Sequence, residues 1–290
     1  MILCMMANQP SGEAIIVAVL SALPPPQLSD LANCISALFR RRQLRLSYLL
    51  SSPTLFSLTL RHLHSLSLCH KSLLIARYLL YNLSLLRNSM QNAAATPSMY
   101  SFARMKLRDL DAVLLLLLLC ELHQHDSQRL IETPPSQWRI LLRNHVSCKI
   151  LNLSEFGGFS TFEVLNEYVE LVAKCSNFVN VMMGCGGEMG LGKAETEVAA
   201  AAAAVVALPS VEVSAVGECV ICKEEIMEGR EVCELPCGHY FHWTCILRWL
   251  GKTNTCPCCR YRLPTDDVRR EIDRIFEDLA RMGDGCSSCA

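Results

Sequence analysis

The first 39 residues of this 290-residue chain hold no Lys or Arg; the first is Arg40. A secretory signal opens on a basic stretch and an organelle transit peptide is rich in Arg, so no ordinary targeting signal is expected. Long apolar runs are missing as well. Ala14 to Leu20 is apolar but short, and Ala112 to Cys120, with six consecutive leucines, covers nine residues. A membrane-spanning helix needs about twenty. Both runs are expected to be buried helix segments of a soluble protein, with no transmembrane span. Acidic residues are scarce at the start: residues 1–110 carry three Asp/Glu against eleven Lys/Arg, which suits an acidic partner, an anionic surface or simply an Arg-rich helix face. Residues 111–217 (six Lys/Arg, twelve Asp/Glu) and 218–290 (ten, thirteen) offset that excess, leaving a formal charge of −1.

Apolar spacing organises most of the chain into helices. After Pro24 to Pro26, the residues Leu28, Leu31, Ile35 and Leu38 share one helix face. Ser52-Pro53 reads as a helix start, Ser as cap and Pro in the first turn, with Leu55, Leu58, Leu63 and Leu66 as its apolar side. Lys71 to Arg87 is too apolar all round for a lone surface helix. Further helices are expected from about Ser101 to His123, through Trp138 to Leu142, and after a capping box at Ser160 to Glu163. Phe162, Leu165, Val169 and Val172 are the expected buried stripe of that last helix. The expected division is an N-terminal tail (1–26), a helical substrate or location domain (27–183), a flexible Gly/Ala-rich linker (184–217), a zinc module (218–262) and a C-terminal helix and tail (263–290). In the last part, Thr265 is the expected cap of a helix whose Val268, Ile272, Ile275 and Leu279 share a face. Gly187 to Lys193 has the outline of a phosphate-binding loop, but Ala194 follows where a magnesium-holding hydroxyl belongs, and no strand precedes it. Nucleotide binding is not expected.

Of seventeen cysteines, eight crowd into residues 219–259. A secreted disulfide scaffold would spread them more evenly, and here two His stand among them, which points to metal in a reducing compartment. The segment reads CVIC, fourteen residues, CGHYFHWTC, ten residues, CPCC. Cys219, Cys222, Cys237, His239, His242, Cys245, Cys256 and Cys259 supply eight donors, enough for two tetrahedral zinc sites. Spacing leaves two pairings open, alternating or neighbouring. Either fills both coordination spheres and leaves no place for an activated water, so the zinc is expected to be structural and hydrolytic chemistry is excluded. A module of some forty residues buries too little apolar surface to fold unaided, and two ions would supply most of its folding free energy, on the order of 10 kcal/mol each. Cys233 and Cys258 could each substitute for a neighbouring donor, and Cys286 and Cys289 form a pair without partners. Net acidity across residues 218–290 argues against nucleic acid as a partner.

The eight-donor pattern resembles the RING-H2 family of E3 ubiquitin-protein ligases. The resemblance implies an interleaved cross-brace: Cys219, Cys222, His242 and Cys245 on one zinc, Cys237, His239, Cys256 and Cys259 on the other. It implies a small α+β RING module in a mainly α chain. It also implies a transferase that recruits a ubiquitin-charged conjugating enzyme and promotes direct transfer to a substrate lysine. Ile221, Trp249 and Pro257 match the family's contacts to the conjugating enzyme. Arg260 matches the cation that holds the thioester in a reactive pose, while Phe241 is expected in the core. The six histidines from His62 to His145 are expected on polar helix faces. The segments PPPQLSDLANCI, RLSYLLSSPTLFSLTLRHL and HKSLLIARYLL look like an amyloplast-associated plant branch of these ligases, which implies attachment to the outside of a plastid. The competing expectation is a zinc-dependent binding or dimerisation module without ligase activity.

Overall fold

The computed structural model describes residues 12–90, 105–154, 161–184, 198–211, 217–226 and 232–284. The described residues divide into two compact units: one holds residues 12–90, 105–154, 161–184 and 276–284, the other residues 198–211, 217–226 and 232–275.

The described helices of the first unit are α1 (Gly12–Ala22), α2 (Pro25–Ser51), α3 (Pro53–Ser65), α4 (Leu68–Met90), α5 (Leu107–His125), α6 (Ser127–Glu132), α7 (Trp138–Ser154) and α8 (Thr161–Gly184). Ser52 caps α3 as its sequence predicts, its hydroxyl accepting from the Leu55 N–H at 3.3 Å, with Pro53 at the first position. The all-round apolar helix is central: α4 packs most extensively on α8 and also meets α2 and α5. Its Ile75, Leu80, Leu83 and Leu86 are fully buried. So are Ala112, Val113 and Leu115 in the apolar run of α5, which serves a core rather than a membrane. No described helix is long and apolar enough to cross a membrane.

Several polar groups in this core are matched, although Ser72 Oγ and Asn82 Oδ1 are buried without a hydrogen-bond partner. The Tyr168 hydroxyl of α8 donates to the Asn82 carbonyl at 2.8 Å, and the Asn82 amide donates to the Tyr78 carbonyl at 2.7 Å. Arg45 of α2 clasps Asp111 of α5 through two 2.6 Å bonds, with the Asp side chain only 4 % exposed. His62 and His145 do not sit on plain polar faces: they lie 3.4 Å from Asp109 and 3.5 Å from Glu121, joining α3 to α5 and α7 to α5.

Two expected faces are corrected. Phe162 is 72 % exposed, because it sits in the first turn of α8, ahead of the stripe in which Leu165, Tyr168, Val169 and Val172 are buried. Leu58 is also exposed, and Phe56, Thr59 and Leu63 form the inner face of α3 instead. The capping box at Ser160 and the lookalike loop at Gly187–Lys193 lie outside the described residues.

The second unit contains α9 (Ala202–Val206), β1 (Ser210–Val211), β2 (Val232–Glu234), β3 (Tyr240–His242), α10 (Trp243–Leu250) and the start of α11 (Val268–Asp284). The strands form one antiparallel sheet in the order β1-β2-β3. Leu208, Cys219, Ile226, Val232, Cys233, Leu235, Phe241, Ile246, Leu250, Cys256 and Leu263 form its core. Residues 198–211, expected to be linker, are built into this unit, since Leu208 is in the core and β1 pairs with β2. Thr265 is not the cap of α11. Asp267 is, its carboxylate accepting from the Arg269 and Arg270 N–H groups at 3.0 and 3.1 Å, while the Thr265 hydroxyl accepts from the Asp267 N–H. Val268, Ile272, Ile275 and Leu279 are all buried, as their spacing predicts.

Candidate metal centres

Each Cys-x-x-Cys pair sits in a tight turn, and the two turns are built alike. In the first, the Lys223 N–H donates to the Cys219 carbonyl at 2.7 Å and the Cys219 N–H to the Glu224 carbonyl at 2.8 Å. In the second, the Arg260 N–H donates to the Cys256 carbonyl at 3.0 Å and the Cys256 N–H to the Tyr261 carbonyl at 2.9 Å. Glu218 then pairs with Glu225, and Thr255 with Arg262, at matching offsets. The residue after the second cysteine takes the left-handed conformation in both, Lys223 at φ 65° and Arg260 at φ 59°. L-residues adopt it at a cost, so the turn is held by what surrounds it. Sequence spacing carried no sign of this backbone feature.

The turns bring together two groups of four donors. Cys219, Cys222, His242 and Cys245 have their ligand atoms within 4.8 Å of one another, and so do Cys237, His239, Cys256 and Cys259. The alternating grouping, rather than the neighbouring one, is therefore the grouping seen in space. His242 Nδ1 lies 3.4 Å from the Cys222 sulfur, and His239 Nδ1 lies 3.4 Å from the Cys237 sulfur. One edge of a tetrahedron with Zn–S near 2.3 Å and Zn–N near 2.05 Å is about 3.5 Å. Each centre thus offers three sulfurs and one imidazole at zinc spacing.

The donor sulfurs are electrostatically unequal: the Tyr261 N–H holds the Cys259 thiol low, and at Cys219 burial is outweighed by backbone N–H groups that lower it, while others are raised. Burial and the crowding by Cys256 and Cys259 push the Cys237 thiol up to about 12, and burial with the Cys222 side chain pushes Cys245 up to about 11. Crowded sulfurs resist ionising together, and a coordinated Zn2+ reverses that logic by holding them as thiolates. The donors present fit two zinc ions, with all four positions of each sphere filled by protein. Cys233, by contrast, is fully buried in the apolar core and raised to about 11, chiefly by that burial, so it is a packing residue. Cys258 is exposed, and Cys286 and Cys289 lie outside the described residues.

The remaining candidates lie around the two centres. Ile221 is half-buried against the module core, and Pro257 is half-buried. Trp249 is 37 % exposed, with its indole N–H donating to the Thr255 carbonyl at 2.7 Å. Val220, Leu247 and Tyr261 are exposed apolar neighbours in sequence that spacing did not single out. Arg260 is exposed, and Phe241 is fully buried.

A sequence model described as "Ring finger domain" matches residues 217–260. Over 283 residues, 93 % of this chain and 96 % of the relative, the sequence is 47 % identical to "E3 ubiquitin-protein ligase SGR9, amyloplastic" of Arabidopsis thaliana. Shorter matches centre on the ligase RNF181: 55 % identity to its Drosophila melanogaster homologue over 22 % of this chain and 44 % of that protein. The Xenopus tropicalis protein is 49 % identical over 25 % of this chain and 49 % of its own length.

Proposed function

The chain belongs to the RING-type E3 ubiquitin-protein ligases, and we propose that it works by recruiting a ubiquitin-charged conjugating enzyme and promoting direct transfer of ubiquitin to a substrate lysine. The observation that carries this reading is the pair of closed four-donor centres inside the residues that match the Ring finger model. A metal sphere filled by protein does no bond-making, so the module acts as a rigid platform. Ile221, Trp249 and Pro257 are its contacts to the conjugating enzyme. Such half-exposed apolar groups on a small domain suit a partner's surface. Arg260 is the orienting cation: its planar fork donates to two acceptors at once and holds the thioester still. The lysine amine then attacks the thioester carbonyl, the amide bond forms and the conjugating enzyme's thiol leaves. The contribution is orientation, with no covalent intermediate on this chain.

Residues 27–183 select the substrate or the location in this reading, residues 218–262 act on the conjugating enzyme, and 184–197 link them. The amyloplastic name of the Arabidopsis relative supports a plastid-associated protein. A tagged chain spread evenly through the cytosol would contradict that location. The catalytic reading is tested by self-ubiquitination with purified components. Ile221→Ala and Arg260→Ala are expected to lose ubiquitin chains while retaining zinc; equal activity in all three proteins refutes the assigned roles.

A further inference from the structure

α10 has supports that the metal centres do not provide. It is eight residues long, too short to keep its form by itself, and its N-cap residue His242 makes no side-chain cap bond. The candidate ligands His242 and Cys245 secure only its first turn. Trp249 lies four residues past Cys245, about 6 Å further along the axis at 1.5 Å per residue. That far end is held by the Trp249 indole bond to the Thr255 carbonyl, within the ligand segment, and in addition by residues upstream of the zinc ligands. The Ala200 N–H donates to the Leu250 carbonyl at 2.9 Å, and the Ala201 N–H to the Pro264 carbonyl at 2.8 Å. The Leu250 carbonyl belongs to the last turn, whose acceptors have no partner within the helix. At the near end, the Trp243 indole N–H donates to the Ser210 hydroxyl at 2.6 Å. Between these clamps Ala204 is fully buried, Leu208 enters the core, and β1 joins β2.

We infer that residues 200–211 are a positioning strap for the conjugating-enzyme contact, in which Ala200 and Ser210 clamp the two ends of α10 and thereby fix Trp249. The inference rests on the reading of Trp249 as a contact residue given above. The strap acts through Trp249, so it governs binding of the charged enzyme and not the chemistry that follows.

The test is steady-state discharge of ubiquitin from the charged conjugating enzyme to free lysine, catalysed by the full chain, with zinc measured in each protein. Ser210→Ala removes one clamp at an exposed position; Ala204→Glu forces a carboxylate into a buried one. The KM for the charged enzyme is expected to rise about two- to tenfold in Ser210→Ala, the worth of one net hydrogen bond, and further in Ala204→Glu. Turnover at saturation stays at the parent's value, Ser210→Thr restores KM, and the zinc content stays at two. An unchanged KM in Ser210→Ala, or a loss of turnover at unchanged KM, overturns the strap. Should Ala204→Glu lose zinc, the Ser210 pair alone decides. A parent chain that fails to accelerate discharge sinks the functional reading together with the strap, whereas an active parent with unmoved KM in the variants sinks the strap alone.

Discussion

At the scale of single residues, Lys223 and Arg260 are a matched pair with different duties. Both follow the second cysteine of a turn and both hold φ near +60°. Glycine adopts that conformation without the Cβ clash, although it also loosens the unfolded chain. Lys223→Gly and Arg260→Gly are therefore each expected to stabilise the zinc-loaded module, by about 0.5–1 kcal/mol, as read from denaturant unfolding. Only Arg260→Gly should slow ubiquitin transfer, by at least about tenfold, which is some 1.4 kcal/mol of transition-state stabilisation. If both substitutions slow transfer equally, turn geometry and not the guanidinium is responsible. The eight donor residues could be picked out from spacing together with the RING-H2 resemblance, which leaves out Cys233 and Cys258, because soft ligands at fixed intervals are a chemical signal. Their division into two groups could not be read from spacing, because that is set by how the turns fold back on one another.

At the scale of elements, the Arg45–Asp111 clasp joins α2 to α5 across sixty-six positions. Arg45→Met leaves a carboxylate that is 4 % exposed without its partner, at an expected cost of about 3 kcal/mol. Replacing both, Arg45→Met with Asp111→Leu, should recover most of that loss, since an apolar pair avoids the desolvation penalty. Urea unfolding followed by helical signal measures both; a double variant as weak as the single one contradicts the argument. This clasp was invisible to periodicity, which reports faces and not partners. Periodicity did find the buried face of α11, whereas the burial of α4 followed from its being apolar all round. It misjudged Phe162, because a helix's first turn can clear the core that the following turns reach. Thr265 is a good cap by residue type, but Asp267, directly before the helix, holds the capping position of α11. The strap at 200–211 escaped notice for a different reason: an alanine-rich stretch has no side-chain signal, and its backbone hydrogen bonds leave no mark in the sequence.

At the scale of the whole molecule, one unit is held by apolar helix packing and the other by metal ligation around a small core. The two should fail separately. A strong chelator is expected to remove two zinc equivalents and unfold the module while the far-ultraviolet helical signal of α1–α8 persists. Loss of all helical signal on chelation would mean that the first unit depends on the metal too. The central claim is that a zinc-built platform speeds transfer by engaging a charged conjugating enzyme. Single-turnover discharge of ubiquitin to free lysine, with the zinc-loaded full chain against Ile221→Ala, tests it most directly. Acceleration of at least about tenfold, lost in Ile221→Ala while both zinc ions remain bound, is the predicted result. Discharge at the uncatalysed rate with the zinc-loaded parent chain would contradict it.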